Sequence, residues 1–254
     1  MIFDVITIFP DLFKSFLSES LMAKALEKKI IDVRLTTPRD FAVDRHHTCD
    51  DRPYGGGPGM VLKPEPMAAA IGAASKGRPK PWRVYLSPSG RRLTQAKVRE
   101  LYDKKRLLLV CGRYEGLDQR VIDLMIDEEI SIGDYVVNGG EVPAMVLMEA
   151  VARLTPGFMG KSESADEESH SSGLLEYPHY TRPPEFGGLA VPAPLLSGHH
   201  VEVARWRLRE SLRKTLAERP ELLAGANLPP EAVKELAGLN LPFDGPAGRS
   251  KKNS

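Results

Sequence analysis

The chain has 254 residues, of which 42% are hydrophobic, so it can form one large domain or two smaller ones with a sizeable core. Its net charge is only +1, so the whole-molecule charge does not point to nucleic acid and any basic surface must be local. The two cysteines do not support a disulfide framework or a zinc site. No run approaches the roughly 18 apolar residues of a membrane span, and the N-terminus lacks a secretory signal, so we expect a soluble cytoplasmic protein.

The first 60 residues begin with two predicted strands around a helix. Residues 2–9 are rich in β-formers and partly alternating, which predicts a strand that ends at Pro10. Apolar residues near helical spacing predict a helix over 11–28, and a second strand is predicted over 30–35. A long polar stretch follows at 39–60, and a loop of this length inside a compact domain is usually functional or mobile.

Strands and helices then alternate up to residue 154. The patterns predict, in order, helix 67–74, strand 82–86, helix 93–104, strand 107–110, helix 117–125, strand 129–132 and helix 143–154. The strand at 107–110 is apolar on both faces, as expected of a buried parallel strand. This alternation predicts an α/β fold with a parallel sheet covered by helices.

The composition changes after residue 160. Residues 161–172 contain no large apolar side chain and predict a flexible acidic linker. A Pro-rich stretch, a strong helix over about 199–219 and a smaller helical unit follow, and the last ten residues resemble a disordered tail. We therefore predict a cofactor-binding domain, a linker, a helical domain and a tail, at 1–160, 161–172, 173–244 and 245–254.

Three short segments next to predicted strands are candidates for a ligand site: 85–88, 111–116 and 131–141. Loops at strand ends build the ligand sites of open α/β sheets, and glycines allow the backbone to approach a ligand closely. Any one of these loops is more simply an ordinary turn, but three in adjacent units favour one pocket for a polar, flat ligand. They match no phosphate-binding motif and contain no lysine, which disfavours a triphosphate.

Two further segments could contact a substrate. The Gly- and Pro-rich loop 50–59, with Asp50 and Arg52, could clamp a planar substrate, or it is a disordered surface loop. On the helix at 199–219, an arginine row accompanies an apolar face, and six basic against three acidic side chains give the segment a charge of +3. The simple alternative is a solvated face with ion pairs one turn apart, but the local excess favours RNA binding. The row consists of Arg205, Arg209 and Arg213.

Candidate acid–base groups lie near the end of the first domain. Arg153 ends the helix after the third loop, and Asp166, Glu167 and Glu168 lie in the linker. An ionised carboxylate can accept a proton, and a mobile acidic linker could close over a site, although such a cluster is more often a solubilising spacer. No metal cluster is predicted, because His46 and His47 stand alone in a polar loop.

Together the motifs of this chain resemble the TrmD family of bacterial tRNA (guanine-N1)-methyltransferases, which belong to the SPOUT superfamily. The resemblance covers residues 1 to about 240. It rests on the order and spacing of Ile8-Phe9-Pro10, Pro38-Arg39-Asp40-Phe41, residues 50–60, 86–88, 111–116, 131–135, 139–141, Pro178-His179-Tyr180-Thr181-Arg182-Pro183 and Leu195-Leu196-Ser197-Gly198.

The resemblance implies a SPOUT-type parallel sheet with a deep trefoil knot, plus a small all-helical C-terminal domain. It also implies a homodimer with active sites shared between the subunits. In the family the three loops hold S-adenosylmethionine, which here assigns cofactor contacts to Tyr85, Leu86, Ser87, Pro88, Gly112, Tyr114, Glu115, Ser131, Ile132, Gly133, Tyr135, Val136, Gly139, Gly140 and Pro143. The implied target is guanine 37 of tRNA, immediately 3′ of the anticodon and preferred after another guanine.

Family roles also imply catalytic and substrate residues. Arg153 matches the arginine that stabilises charge on the guanine, and Glu168 matches the linker carboxylate that removes the N1 proton. Glu168 stands where the family usually has aspartate, so Asp166 or Glu167 could act as the base instead. Glu176 is a second position where the family tends to have aspartate. Some members use Mg²⁺, but no ligand cluster here supports it. Substrate contacts are predicted for Asp50, Pro58, Gly59, Ser164, Glu176, Arg205, Arg209 and Arg213.

Two other functions remain open on the sequence alone. The first is an RNA-binding or ribosome-associated module that keeps the fold without turnover, which the glutamate at position 168 makes worth testing. The second is a SPOUT methyltransferase with a different RNA target or atom. Intact cofactor loops argue against the first, and the segment 50–59 with the C-terminal helix argues against the second.

Overall fold

A computed structural model describes residues 1–159, 173–226, 228 and 230–238. The chain forms two compact units, residues 1–162 and 163–254. The predicted linker and tail lie outside the described residues. Ser164, Asp166, Glu167 and Glu168 lie outside them as well.

The described part of the first unit contains seven strands and six α-helices. The strands are β1 (Ile2–Ile6), β2 (Asp32–Thr36), β3 (Asp50–Asp51), β4 (Val61–Leu62), β5 (Trp82–Arg92), β6 (Arg106–Cys111) and β7 (Glu128–Ser131). The helices are α1 (Lys14–Ser18), α2 (Ser20–Glu27), α3 (Pro64–Ala74), α4 (Gln95–Asp103), α5 (Gln119–Met125) and α6 (Glu141–Ala152). Short 3-10 helices lie at Pro10–Phe13 and Pro38–Phe41.

A five-stranded parallel sheet organises the first unit, in the order β2-β1-β6-β5-β7. This confirms the predicted α/β fold with a parallel central sheet. Strand β6 lies at the centre and is buried along its whole length. Its side chains alternate between the two faces, with Leu107 and Leu109 in one core cluster and Leu108 and Val110 in the other. Each fully buried leucine contributes about 1.5–3 kcal/mol relative to exposure.

Two predicted elements differ from the structure in more than the position of their ends. The helix predicted over 11–28 is interrupted, because Ser20 has a φ of +56° and this left-handed backbone cannot continue α1 into α2. The strand predicted over 82–86 extends to Arg92, since β5 bulges after Leu86 and pairs again with the end of β7. A Cβ at Gly90 would lie 2.4 Å from the Ile130 nitrogen, so only glycine allows this return.

The described part of the second unit is mainly helical: α7 (Ala193–Leu196), α8 (His200–Glu218), α9 (Pro220–Gly225) and α10 (Pro230–Gly238). Its core cluster contains Leu174, Leu212, Leu223, Ala232 and Leu236. The unit also has a short antiparallel hairpin, β8 (Glu185–Phe186) with β9 (Leu189–Ala190), which the sequence analysis did not predict. Among the described residues, no helix of either unit is long and apolar enough to cross a membrane.

Candidate active site

The segment of β5 around its bulge after Leu86 and the loops at the carboxyl ends of β6 and β7 enclose a cavity of about 420 Å³. Parallel strands place these ends at one edge of the sheet, which explains why three separate segments meet. All the predicted cofactor residues line this cavity except Gly133. Of the lining residues to which no cofactor contact was assigned, Arg113, Gly116, Val137 and Asn138 lie within the candidate segments, whereas Ser89 and Ile130 lie outside them.

Gly133 shapes the third loop without lining the cavity. Its backbone N–H donates to the Ser131 hydroxyl at 3.2 Å, and that hydroxyl donates to the Gly133 carbonyl at 2.8 Å. A Cβ at Gly133 would lie 2.4 Å from the Tyr135 ring. Glycine at this position therefore leaves space for Tyr135, which does line the cavity.

The third loop returns to contact the second. The Gly140 N–H donates to the Gly112 carbonyl at 2.9 Å, and Arg113 forms an antiparallel bridge with Gly139. A Cβ at Gly140 would lie 2.7 Å from the Cys111 Cα and 2.9 Å from the Gly112 nitrogen, both backbone atoms. The close approach of these two loops therefore depends on glycine at position 140.

Tyr85 forms part of the cavity wall and is 6% exposed. Its hydroxyl accepts a hydrogen bond from the Leu117 N–H at 3.3 Å. Desolvation raises the pKa of this phenol, so it stays neutral at physiological pH. A Cβ at Gly112 would lie 2.7 Å from the Tyr85 hydroxyl, so glycine lets the ring extend beneath the second loop.

A buried polar network beside the cavity was missed by the sequence analysis. Glu141, the first residue of α6, is 0% exposed, and its Oε1 accepts a hydrogen bond from the Thr7 hydroxyl at 2.8 Å. Its Oε2 lies 2.9 Å from Nε of Arg113, an ion pair outside hydrogen-bond geometry. The Arg113 guanidinium also lies over the Phe9 ring, 4.8 Å from its centroid. Thr7 and Glu141 are 134 residues apart, so no sequence spacing signals their contact.

The comparisons with known proteins agree on one family. The family model of tRNA (guanine-1)-methyltransferase TrmD matches residues 1–225. The chain belongs to the TrmD family. Its enzyme class is therefore that of a methyltransferase acting on tRNA, and the predicted family resemblance is confirmed.

Curated relatives match nearly the whole chain. A tRNA (guanine-N(1)-)-methyltransferase from Geotalea uraniireducens is 53% identical over 228 residues, covering 90% of this chain and 92% of the relative. Proteins with the same name from Pasteurella multocida and Shewanella halifaxensis are 50% and 51% identical over 237 and 234 residues. The match to the Pasteurella multocida protein covers 93% of this chain and 97% of the relative. The match to the Shewanella halifaxensis protein covers 92% of this chain and 94% of the relative.

The structure brings part of the predicted TrmD substrate loop to the cavity. The Glu115 N–H donates to the Met60 carbonyl at 2.9 Å, and a Cβ at Gly59 would lie 2.3 Å from the Glu115 carboxylate. Gly59 also has a φ of +84°, which favours glycine. Asp50 pairs with Leu62 across β3 and β4, and neither Asp50 nor Pro58 lines the cavity.

Of the two predicted catalytic residues, Arg153 and Glu168, the structure describes only the first. Arg153 follows the last residue of α6 and is half-buried, and it does not line the cavity. Glu168 and Ser164 lie outside the described residues. Glu176 lies in the second unit, where its carboxylate is 2.8 Å from the His179 ring.

The arginine row on α8 is ion-paired within the second unit. Nε of Arg205 and Nε of Arg209 lie 2.7 Å and 3.1 Å from the Glu235 carboxylate of α10. Arg213 pairs with Glu210 one turn before it, at 3.1 Å. Only the pair of Arg213 with Glu210 is of the kind that the simpler alternative describes, since Glu235 lies on another helix. The RNA-binding role of the row stays a prediction.

Within the part of the chain that the structure describes, no group of three or more His, Cys, Asp or Glu side chains could hold a metal ion.

Proposed function

We propose that this chain transfers a methyl group from S-adenosylmethionine to N1 of guanine 37 of tRNA, preferring tRNAs with a guanine at position 36. One observation carries the proposal: in a member of the TrmD family, the three loops that would hold the cofactor enclose a single cavity at the sheet edge. A tRNA substrate implies a cytoplasmic location.

The cavity residues fit an adenosyl cofactor. The cavity volume lies within the ~300–1,000 Å³ typical of small-molecule sites. Glycine at 112 and 140 permits backbone approach, and Leu86, Ile132 and Val136 offer apolar contacts for a flat ring. When bound, S-adenosylmethionine would supply a methyl group activated by its sulfonium, which becomes a neutral thioether. The predicted cofactor residues would hold it, with Gly133 acting through the shape of the third loop.

Two further residues would activate the guanine. Guanine N1 carries a proton at neutral pH and is a poor nucleophile, so its proton must leave as the new bond forms. Glu168 would accept this proton, within about 2.6–3.2 Å in the reacting complex. Arg153 would stabilise the negative charge that develops at O6.

The finer architecture is part of the proposal. We infer a deep trefoil knot formed by the three loops, and the return of Gly140 to Gly112 supports such threading. The chain would act as a homodimer whose two subunits share each site. Residues 1–160 would form the cofactor domain, residues 161–172 an acidic linker and residues 173–244 a helical domain. The tRNA would be held by Asp50, Pro58 and Gly59 of the first domain, by Ser164 of the linker, and by Glu176 and the arginine row of the helical domain. Residues 245–254 would form a tail.

The test is methyl transfer from labelled S-adenosylmethionine to an unmodified tRNA transcript. Transcripts with guanine or adenine at position 37, each preceded by guanine, form the matched pair. We expect label only on the first, recovered as N1-methylguanosine. A folded protein that binds the cofactor and labels neither transcript would refute the proposed activity, and label at another atom would refute its position.

The role of Glu168 is tested separately. We expect Glu168→Ala to lose nearly all methyl transfer while it still binds S-adenosylmethionine, since the carboxylate accepts a proton and does not hold the cofactor. Asp166→Ala is the matched control and should retain turnover. If Glu168→Ala stays active and Asp166→Ala is inactive, the base is Asp166.

A further inference from the structure

Among the residues that line the cavity, the charged side chains are Arg113 and Glu115. Arg113 is therefore the positive group of this wall. Its side chain is 20% exposed, which is low for an arginine, and the residue lines the cavity.

Several contacts fix Arg113 in place. Its Nε faces Glu141, its Nη1 donates to the Asn138 carbonyl at 3.3 Å, and its plane lies over the Phe9 ring. Gly139 leaves room for the side chain, since a Cβ there would lie 2.3 Å from Nε. Among the described residues, Nη2 has no hydrogen-bond partner, so one edge of the guanidinium is unused by the protein.

Glu141 is held more tightly than the arginine it faces. It is 0% exposed, bonded to the Thr7 hydroxyl and located at the N-terminus of α6, where the helix dipole favours a carboxylate. A carboxylate buried in this way is costly unless a cation compensates it. Arg113 supplies that cation, so the same contact that compensates Glu141 also orients the guanidinium.

We infer that Glu141 is a positioning residue that directs the free edge of Arg113 toward the α-carboxylate of bound S-adenosylmethionine. This inference rests on the proposed function. The carboxylate is the one anionic group of a ligand that is otherwise cationic at its ammonium and sulfonium. A guanidinium N–H aimed at a carboxylate forms a charge-assisted hydrogen bond, about twice as strong as a neutral one. Arg113 would thereby select for the complete amino-acid part of the cofactor.

The experiment compares the binding of S-adenosylmethionine and its decarboxylated analogue by calorimetry, in the absence of tRNA. The two ligands differ only in the carboxylate, so the ratio of their Kd values isolates the contact with Arg113. We expect the wild-type protein to prefer S-adenosylmethionine by about tenfold, as one charge-assisted hydrogen bond implies. In Arg113→Ala the preference should disappear, so that both ligands bind with equal affinity.

Glu141→Gln tests the positioning role. It should lower the preference several-fold while Arg113 is still present, because the guanidinium loses the charged partner that orients it. Arg113→Lys keeps the charge without the planar fork and should also reduce the preference, which gives a second variant if Glu141→Gln does not fold. Arg120→Ala, on the exposed surface of α5, is the matched control and should keep the wild-type ratio.

Three outcomes would overturn the inference. Equal weakening of both ligands in Arg113→Ala would indicate a merely structural role. An unchanged preference would show that another group meets the carboxylate. Unchanged binding of both ligands with a raised KM for tRNA would assign Arg113 to a phosphate instead. A wild-type protein that binds neither ligand would refute the proposed function itself, whereas binding without methyl transfer would leave the inference standing.

Discussion

Replacing Gly140 by alanine should disrupt both the fold and the cofactor cavity. The added Cβ would lie 2.7 Å from the Cys111 Cα and 2.9 Å from the Gly112 nitrogen, against 3.4–4 Å for ordinary contact. Backbone atoms cannot rotate away, so the third loop must move from the second. Overpacking costs about 1–3 kcal/mol, and loss of the hydrogen bond from Gly140 to Gly112 costs about 0.5–1.5 kcal/mol. We expect a loss of about 2–4 kcal/mol in the free energy of unfolding.

The assay is thermal unfolding together with calorimetric binding of S-adenosylhomocysteine. A loss of this size should lower Tm by about 5–15 °C in a chain of this length. Binding should also weaken at least tenfold, because the two loops that separate both line the cavity. Gly72→Ala is the matched control: Gly72 lies within α3 with nothing within 4 Å of the added Cβ, so alanine should stabilise by about 0.5–1 kcal/mol. A Gly140→Ala protein with wild-type Tm and affinity would refute the reasoning.

Two further predictions concern ion pairs away from the cavity. Asp4→Asn should lower the free energy of unfolding by about 3–5 kcal/mol in urea titrations. The Asp4 carboxylate lies 2.8 Å from the guanidinium of Arg106, which is 3% exposed and would lose its buried counter-charge. A change below about 1 kcal/mol would contradict this prediction. The hydrogen bonds from Arg83 lower the pKa of Asp127, so the stability they provide is present above the ordinary pKa of a carboxyl and is lost as the pH falls through the lowered value. Urea titrations between about pH 5 and pH 2.5 should therefore show a smaller loss of stability for Asp127→Asn than for the wild-type protein, and equal losses would contradict the prediction.

Local sequence patterns were sufficient to predict much of the secondary structure of the first unit. Strand β6 was predicted because its run of apolar residues is typical of a strand buried on both faces, and the α/β alternation around it implied the parallel sheet. The predictions from apolar spacing were wrong where the backbone geometry interrupts or extends an element. The apolar spacing of 11–28 continues across Ser20, whose positive φ interrupts the helix, and nothing in the alternation signals that β5 resumes its pairing after a bulge.

For the cavity, too, the sequence predicted the local features but not the contacts between residues that are distant in the chain. Glycine-bearing loops at strand ends are visible in the sequence, so the residues that line the cavity could be gathered in advance. The contacts that fix its charged wall could not, because Glu141 meets Thr7 and Arg113 only after the third loop returns to the second. Glu141 looks like an ordinary residue at the start of a helix until its complete burial is known.

The arginine row on α8 shows why charge counting along one segment cannot by itself identify a nucleic-acid surface. Arg205 and Arg209 both contact Glu235, which lies on another helix and has only 13% of its side chain exposed. These contacts lower the pKa of Glu235 and keep it ionised, so a phosphate at either arginine must compete with a carboxylate already in place. Arg207 is different, since its guanidinium lies over the Tyr177 ring, 4.9 Å from the centroid. A cation beside an aromatic ring can offer both charge and stacking to a nucleotide, so Arg207 is expected to contact tRNA in addition to the row.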